Sequence, residues 1–154
     1  MKAVLTIAAT AALVSFGLSA PAAAYHLTPE NSTFTGTGNT SATKNGVTLP
    51  CKAKFTGAVD SKGVGSVTSG TFSGQVGCSS VGLSNLPWTA KAKSATKVSI
   101  LNVTFTSPIG NCGPGTLPVK VSGTGVISFK NVALPGGCTV TGKIKTKPAL
   151  AIVP

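Results

Sequence analysis

Leu49, Cys51, Ala53, Phe55, Gly57 and Val59 fall on one side of an extended chain, with Lys52, Lys54 and Thr56 on the other. A period of two marks a strand with one buried and one solvated face. The alternation returns at Trp88, Ala90 and Ala92 against Thr89, Lys91 and Lys93, and at Leu101, Val103 and Phe105 against Asn102, Thr104 and Thr106. It recurs at Leu117, Val119 and Val121 around Lys120, and at Cys138, Val140, Gly142 and Ile144 around Thr139, Thr141, Lys143 and Lys145. Shorter strands are expected within 64–72 and 126–132, and no stretch after Tyr25 makes a convincing helix. Turns are predicted at Asp60-Ser61-Lys62-Gly63, Ser107-Pro108-Ile109-Gly110, Gly113-Pro114-Gly115 and Pro135-Gly136-Gly137. About seven to nine short antiparallel strands at this spacing predict an all-β domain. The expected architecture is a two-sheet sandwich of the Ig-like or Greek-key type, with a barrel as the alternative.

The two ends of the chain depart from this pattern. Lys2, an apolar run to Leu18 and the small residues Ala20-Pro21-Ala22-Ala23-Ala24 predict a secretory signal over residues 1–24, cleaved after Ala22 or Ala24. The run is short for a membrane span, which takes about 20 apolar residues. Residues 25–41, rich in Thr, Ser, Asn and Gly, predict a flexible arm or an edge strand, leaving 42–154 as one domain. The apolar C-terminus, with Leu150, Ile152 and Val153, is expected as a last edge strand or an exposed sticky end.

Charge narrows the partners. All 13 basic residues are Lys, and Glu30 and Asp60 are the only acids. Without Lys2, 12 Lys stand against two acids, a formal net charge of +10. Such a surface attracts polyanions, an anionic cell envelope or polysaccharide above all. Specific reading of nucleic acid is not expected, because Arg, the usual bidentate reader of guanine and phosphate, is absent.

Four cysteines in an exported chain predict two disulfides. Of the three pairings, spacing favours Cys51 with Cys78 and Cys112 with Cys138, which close loops of nearly equal length, one in each half of the chain. The halves share an outline that fits an internal duplication, as it fits any sandwich stapled twice.

Catalytic groups are scarce: the sole His is His26, and the two carboxylates lie far apart in sequence. A Ser/Lys dyad has no spacing to single it out, and no glycine-rich stretch has the Gly-Lys-Ser/Thr ending of a phosphate loop. No Cys-x-x-Cys or neighbouring His completes a zinc site. The expectation is a protein that is not an enzyme and carries no cofactor or metal. Thr-x-Thr pairs at Thr33/Thr35, Thr104/Thr106 and Thr139/Thr141 suit an ice-binding face in spacing, but they lack a regular repeat and read better as solvated strand residues.

Leu86-Pro87-Trp88, Cys112-Gly113-Pro114 and Cys138-Thr139-Val140, with the signal and the overall size, resemble the bacterial alkane-oxidation activator family, PraB. The resemblance spans most of the chain after the signal and rests on short motifs. It implies a small exported protein that helps cells reach or emulsify a water-insoluble hydrocarbon without oxidising it. The leading expectation is therefore a secreted, surface-active accessory protein. Lys143, Lys145 and Lys147 would contact the anionic envelope, while Leu150, Ile152, Val153 and, if exposed, Trp88 would contact hydrocarbon droplets. The alternative is a structural subunit of a surface fibre, coat or biofilm matrix, self-associating through strand edges.

Overall fold

The computed structural model describes residues 24–154. The expected signal, but for Ala24, lies outside the described residues. Eleven strands follow in chain order: β1 (His26–Thr28), β2 (Ser32–Lys44), β3 (Val47–Val59), β4 (Gly65–Gly74), β5 (Gly82–Ser84), β6 (Trp88–Ala92), β7 (Lys97–Ser107), β8 (Gly110–Val121), β9 (Val126–Leu134), β10 (Cys138–Lys147) and β11 (Ala151–Val153). One turn of 3-10 helix, Cys78–Ser80, precedes β5. Among the described residues there is no α-helix.

β2 pairs with β3, β3 with β4, β4 with β6, β6 with β7, β7 with β8, β8 with β9 and β9 with β10, every pair antiparallel. β10 then pairs with β2 from Cys138↔Lys44 to Lys147↔Thr35, closing the sheet on itself. β5 and β6 lie one after the other along the same edge of β7, so they form one broken stave. The result is an eight-staved up-and-down barrel, not the Greek-key sandwich that the alternation suggests. Inside/outside alternation is common to both architectures; what separates them is whether the first and last strands pair.

Residues 25–41, expected as a flexible arm or an edge strand, form an edge strand only at their start. His26–Thr28 form an edge strand against β11, and from Ser32 onward the chain is a stave paired on both sides. Its inward positions include Gly36, Gly38 and Thr40, so it carries no apolar alternation to be read. Neighbouring strands fill the space instead. Phe34 lies opposite Gly57, Phe55 opposite both Gly36 and Gly70, and Phe129 opposite Gly142, each pair in direct register. A ring over a bare glycine lets the wall curve tightly while the interior stays filled.

Two asparagines with positive φ reset the phase. Asn102 (φ 59°) lies in a register shift of β7, so Val98, Ile100, Val103 and Phe105 face inward and Leu101 does not join the face expected for it. Asn131 (φ 50°) occupies the shift in β9, where its N–H donates to Thr141 Oγ1 and that hydroxyl donates to Asn131 Oδ1. Gly113-Pro114-Gly115, expected as a turn, lies within β8.

The two ends of the barrel are built differently. At one end the connections are Asn45-Gly46, 75–81, Pro108-Ile109 and Pro135-Gly136-Gly137, and both disulfides sit there. Cys51 joins Cys78 and Cys112 joins Cys138, with Cα separations of 5.7 and 5.8 Å. One staple ties the start of β3 to the 3-10 turn after β4 and the other ties the start of β8 to the first residue of β10, so the two lie on opposite sides of the axis. The other end is closed by the β1–β11 pair. Leu27 and Leu150 are 3 % and 2 % exposed beneath it. Thr146, also buried, donates its hydroxyl to the Gly125 carbonyl and accepts the Leu150 N–H.

Candidate functional site

Three surfaces of the barrel are chemically distinct. The first is the disulfide end, whose connecting turns contain no charged residue. Val76 is 97 % and Val47 is 55 % exposed there, beside Pro108, Ile109 and Pro135. Lys44, the one charge flanking these turns, is half-buried and donates to the Asn111 carbonyl at 2.8 Å. Leu86, in the break between β5 and β6, adds a further exposed apolar side chain.

The second is the outer wall over β10, β2 and β3. Register sets Lys143, Asn39 and Lys52 in one row and Lys145, Thr37 and Lys54 in the next, with Lys147 and Thr35 beyond. All five Lys are exposed and no acid lies on these strands. Two strand spacings put the ammonium-bearing residues of a row about 10 Å apart at their Cα atoms, and two residues along a strand separate them by about 7 Å. Asn39 and Thr37 keep like charges from standing directly opposite one another, an arrangement that would weaken the sheet. Lys62, Lys93 and Lys97 extend the charge to the end closed by the β1–β11 pair.

The third is the interior, which holds two apolar cavities of about 80 and 90 Å³ in tandem. The chamber at the disulfide end is lined by Ala42, Leu49, Phe72, Val81, Leu83 and Phe105 among others. The other reaches Leu27, Phe34, Ala90, Val98, Val121 and Leu150. Phe55, Trp88, Leu117 and Phe129 line both and form the partition between them. Among the described residues no fully buried side-chain nitrogen or oxygen lacks a hydrogen-bond partner, and the polar side chains lining the chambers are few: Thr40, Ser41 and Ser107 in one and Thr146 in the other.

These positions revise the expected contacts. Trp88 is 5 % exposed, and its indole N–H donates to the Ser84 carbonyl at 2.8 Å. Leu150 is buried in the lid, while Ile152 and Val153 are half-buried in β11. The C-terminus is thus an edge strand and not a free adhesive tail. The most exposed large apolar residues are Val76 and Val47, with Tyr25 and Leu86 less so, and no periodicity marks Val76 and Val47 because both sit in or beside turns. Lys143, Lys145 and Lys147 do share an exposed face, joined by Lys52 and Lys54 from a strand far away in sequence, a union only register reveals.

His26 and Glu30 make a contact of 3.1 Å between Nε2 and Oε1. Their loop is bonded to the β3–β4 turn through the Asn31 N–H and the Asp60 carbonyl. Asp60 itself is committed to its own turn: its carboxylate accepts the backbone N–H groups of Lys62 and Val64, which hold its pKa below the ordinary 3.8.

Fold and surface together define a class: a small disulfide-stapled up-and-down barrel, apolar inside, cationic on its wall and nearly free of charge at one rim. The chain belongs to the alkane oxidation protein activator PraA/PraB-like family, whose model matches residues 1–154. This bears out the resemblance carried by the Leu-Pro-Trp and cysteine motifs. The family is one of alkane oxidation activators, which is consistent with an accessory role. No curated protein and no solved structure matches the chain. The two disulfides suit an oxidising, extracytoplasmic compartment.

Proposed function

We propose that the protein is a secreted, non-enzymatic, surface-active accessory that adsorbs where hydrocarbon meets water and eases access to it. The observation that carries this reading is the separation of Val76 and Val47 on an uncharged rim from the Lys rows on the wall. A molecule so divided lowers its free energy at a boundary by burying the rim in oil and keeping the ammonium groups wet. The Lys rows then serve a second partner, the anionic envelope or an acidic polysaccharide. The disulfides suit the task, because they staple the rim that meets the apolar liquid. The rival reading, a fibre or coat subunit joined through strand edges, is disfavoured by closure: eight staves joined around a ring leave only short stretches of free edge, at the β1–β11 pair and where neighbouring staves are incompletely laddered.

Droplet binding and oil–water tension, measured across salt concentrations, test this. Val47→Asp with Val76→Asp is expected to abolish adsorption to droplets and spare binding to anionic polysaccharide. Changing Lys143, Lys145 and Lys147 to Gln is expected to do the reverse, weakening envelope binding by about 1 kcal/mol per Lys. Salt should screen the second attachment, with a Debye length of about 8 Å at physiological strength, and leave or strengthen the first. A wild-type protein that neither lowers the tension nor binds droplets at any salt concentration refutes the proposal.

A further inference from the structure

The barrel wall is thinly laddered at two places. β8 meets β9 only at Lys120↔Ser128 and Val121↔Ile127, but there the Gly113 N–H donates to the Pro135 carbonyl and Pro135 packs over Gly115, which covers the gap. The other place is open to the surface. β4 is laddered to β6 only through Gly65, Ser66 and Val67, and β5 is laddered only to β7. Between the upper half of β4, Thr68 to Gly74, and β5 there is a seam without ladder bonds. Side chains close it. Leu83 of β5 packs so tightly against Gly70 of β4 that a Cβ there would lie 2.6 Å from Leu83 Cδ1. Leu83 and Phe72 both line the chamber behind the seam. The exposed Val76 follows β4 and the exposed Leu86 follows β5, so apolar surface flanks the seam on both sides.

We propose that the interior is a binding site for one unbranched alkyl chain, admitted through the β4–β5 seam. Three observations select this ligand class. The chambers are lined almost wholly by apolar side chains, so a polar guest would lose its hydration with little recompense. Each is smaller than the roughly 150 Å³ cavity known to take a benzene ring, so a compact ring does not fit either one. The chambers lie in tandem, and a slender chain is the shape that divides its volume between them. Along β7, Val98 lines one chamber and Ser107 the other. At about 3.3 Å per residue and a tilt of about 40° that is roughly 20 Å, more than the depth of one bilayer leaflet's hydrocarbon, about 15 Å. Eight-staved barrels have an interior at the size where side chains either fill the space or leave room for one small ligand.

Trp88 links portal and partition. Its ring stands between the chambers while its N–H is held by Ser84 at the end of β5. A chain pressing into the first chamber therefore meets the one tryptophan of the protein. This site is independent of adsorption through the rim, and the two fail separately.

The test is quenching of Trp88 fluorescence in the full exported chain by 1-bromooctane. Saturable quenching by one molecule per barrel is expected, with bromide ion ineffective because the indole is buried, and with bromocyclohexane much weaker. Ala42→Leu in one chamber and Ala90→Leu in the other should each weaken the affinity about tenfold or more while leaving droplet adsorption intact. Leu83→Ala, which opens the seam without crowding the core, should speed association. Vesicles with brominated acyl chains separate the sources: quenching there assigns a lipid chain as occupant, and quenching only by the free bromoalkane assigns hydrocarbon. Quenching that rises linearly without saturation overturns the proposal. So does equal affinity for the ring, or an affinity that both filling variants leave unchanged in folded protein. An association rate unmoved by Leu83→Ala overturns the seam as portal.

Discussion

A methyl group at Gly142 has nowhere to go, because the Phe129 ring lies against the position its Cβ would take. Gly57 is filled in the same way by Phe34. Gly142→Ala is therefore expected to cost about 1–3 kcal/mol, the usual range for overpacking a core. Phe129→Leu in the same chain should recover part of that loss, as a double-mutant cycle in denaturant would measure. Strict additivity of the two changes would show that the ring and the glycine do not interact. The residue scale is also where the sequence is least transparent. Gly142 is visible as an apolar-side member of its strand and Phe129 lies in a short expected strand, but nothing in either segment says that they face each other. That fact belongs to register, which arises between strands and not within them.

Strands themselves were legible wherever large apolar side chains alternate, as in β3, β6, β8 and β10, and illegible in β2, whose interior positions are small because neighbouring rings occupy their space. Turns follow the same logic. Asp60 is readable as a turn former, and the structure gives the reason: its carboxylate gathers the N–H groups of Lys62 and Val64 while its own N–H donates to the Val64 carbonyl. Those donors favour the ionised carboxylate, so the folded pKa is lowered below 3.8. A lowered pKa means that the stabilisation is fully present above the ordinary carboxylate range and is lost as pH falls through the lowered value. The denaturation midpoint of the wild type should thus fall between about pH 5 and pH 1, with a shallower fall in Asp60→Asn. Equal slopes in the two proteins would remove Asp60 from the account of acid sensitivity.

At the scale of the whole molecule, closure distinguishes this chain from the sandwich that its alternation equally allows, and closure has a kinetic consequence. Every ladder but one in the barrel joins strands adjacent in the chain or separated by a short broken stave. The exception, β2 with β10, joins residues roughly 100 positions apart, and each doubling of a loop costs about 0.6 kcal/mol in closure entropy. Neither disulfide spans that ladder, since each lies within one half of the chain. Cross-linking therefore does nothing to shorten the search that brings the first stave to the last. The β2–β10 ladder should form after the transition state: Ile144→Val, at about 0.5–1.5 kcal/mol, is expected to speed unfolding and leave the folding rate unchanged, whereas Val119→Ala in β8 slows folding. A folding rate that drops with Ile144→Val would place closure early. If closure is late, the ring spends its folding time as an open, curling meander with two bare edges, and the interval before those edges meet is when this chain is most exposed to its own copies.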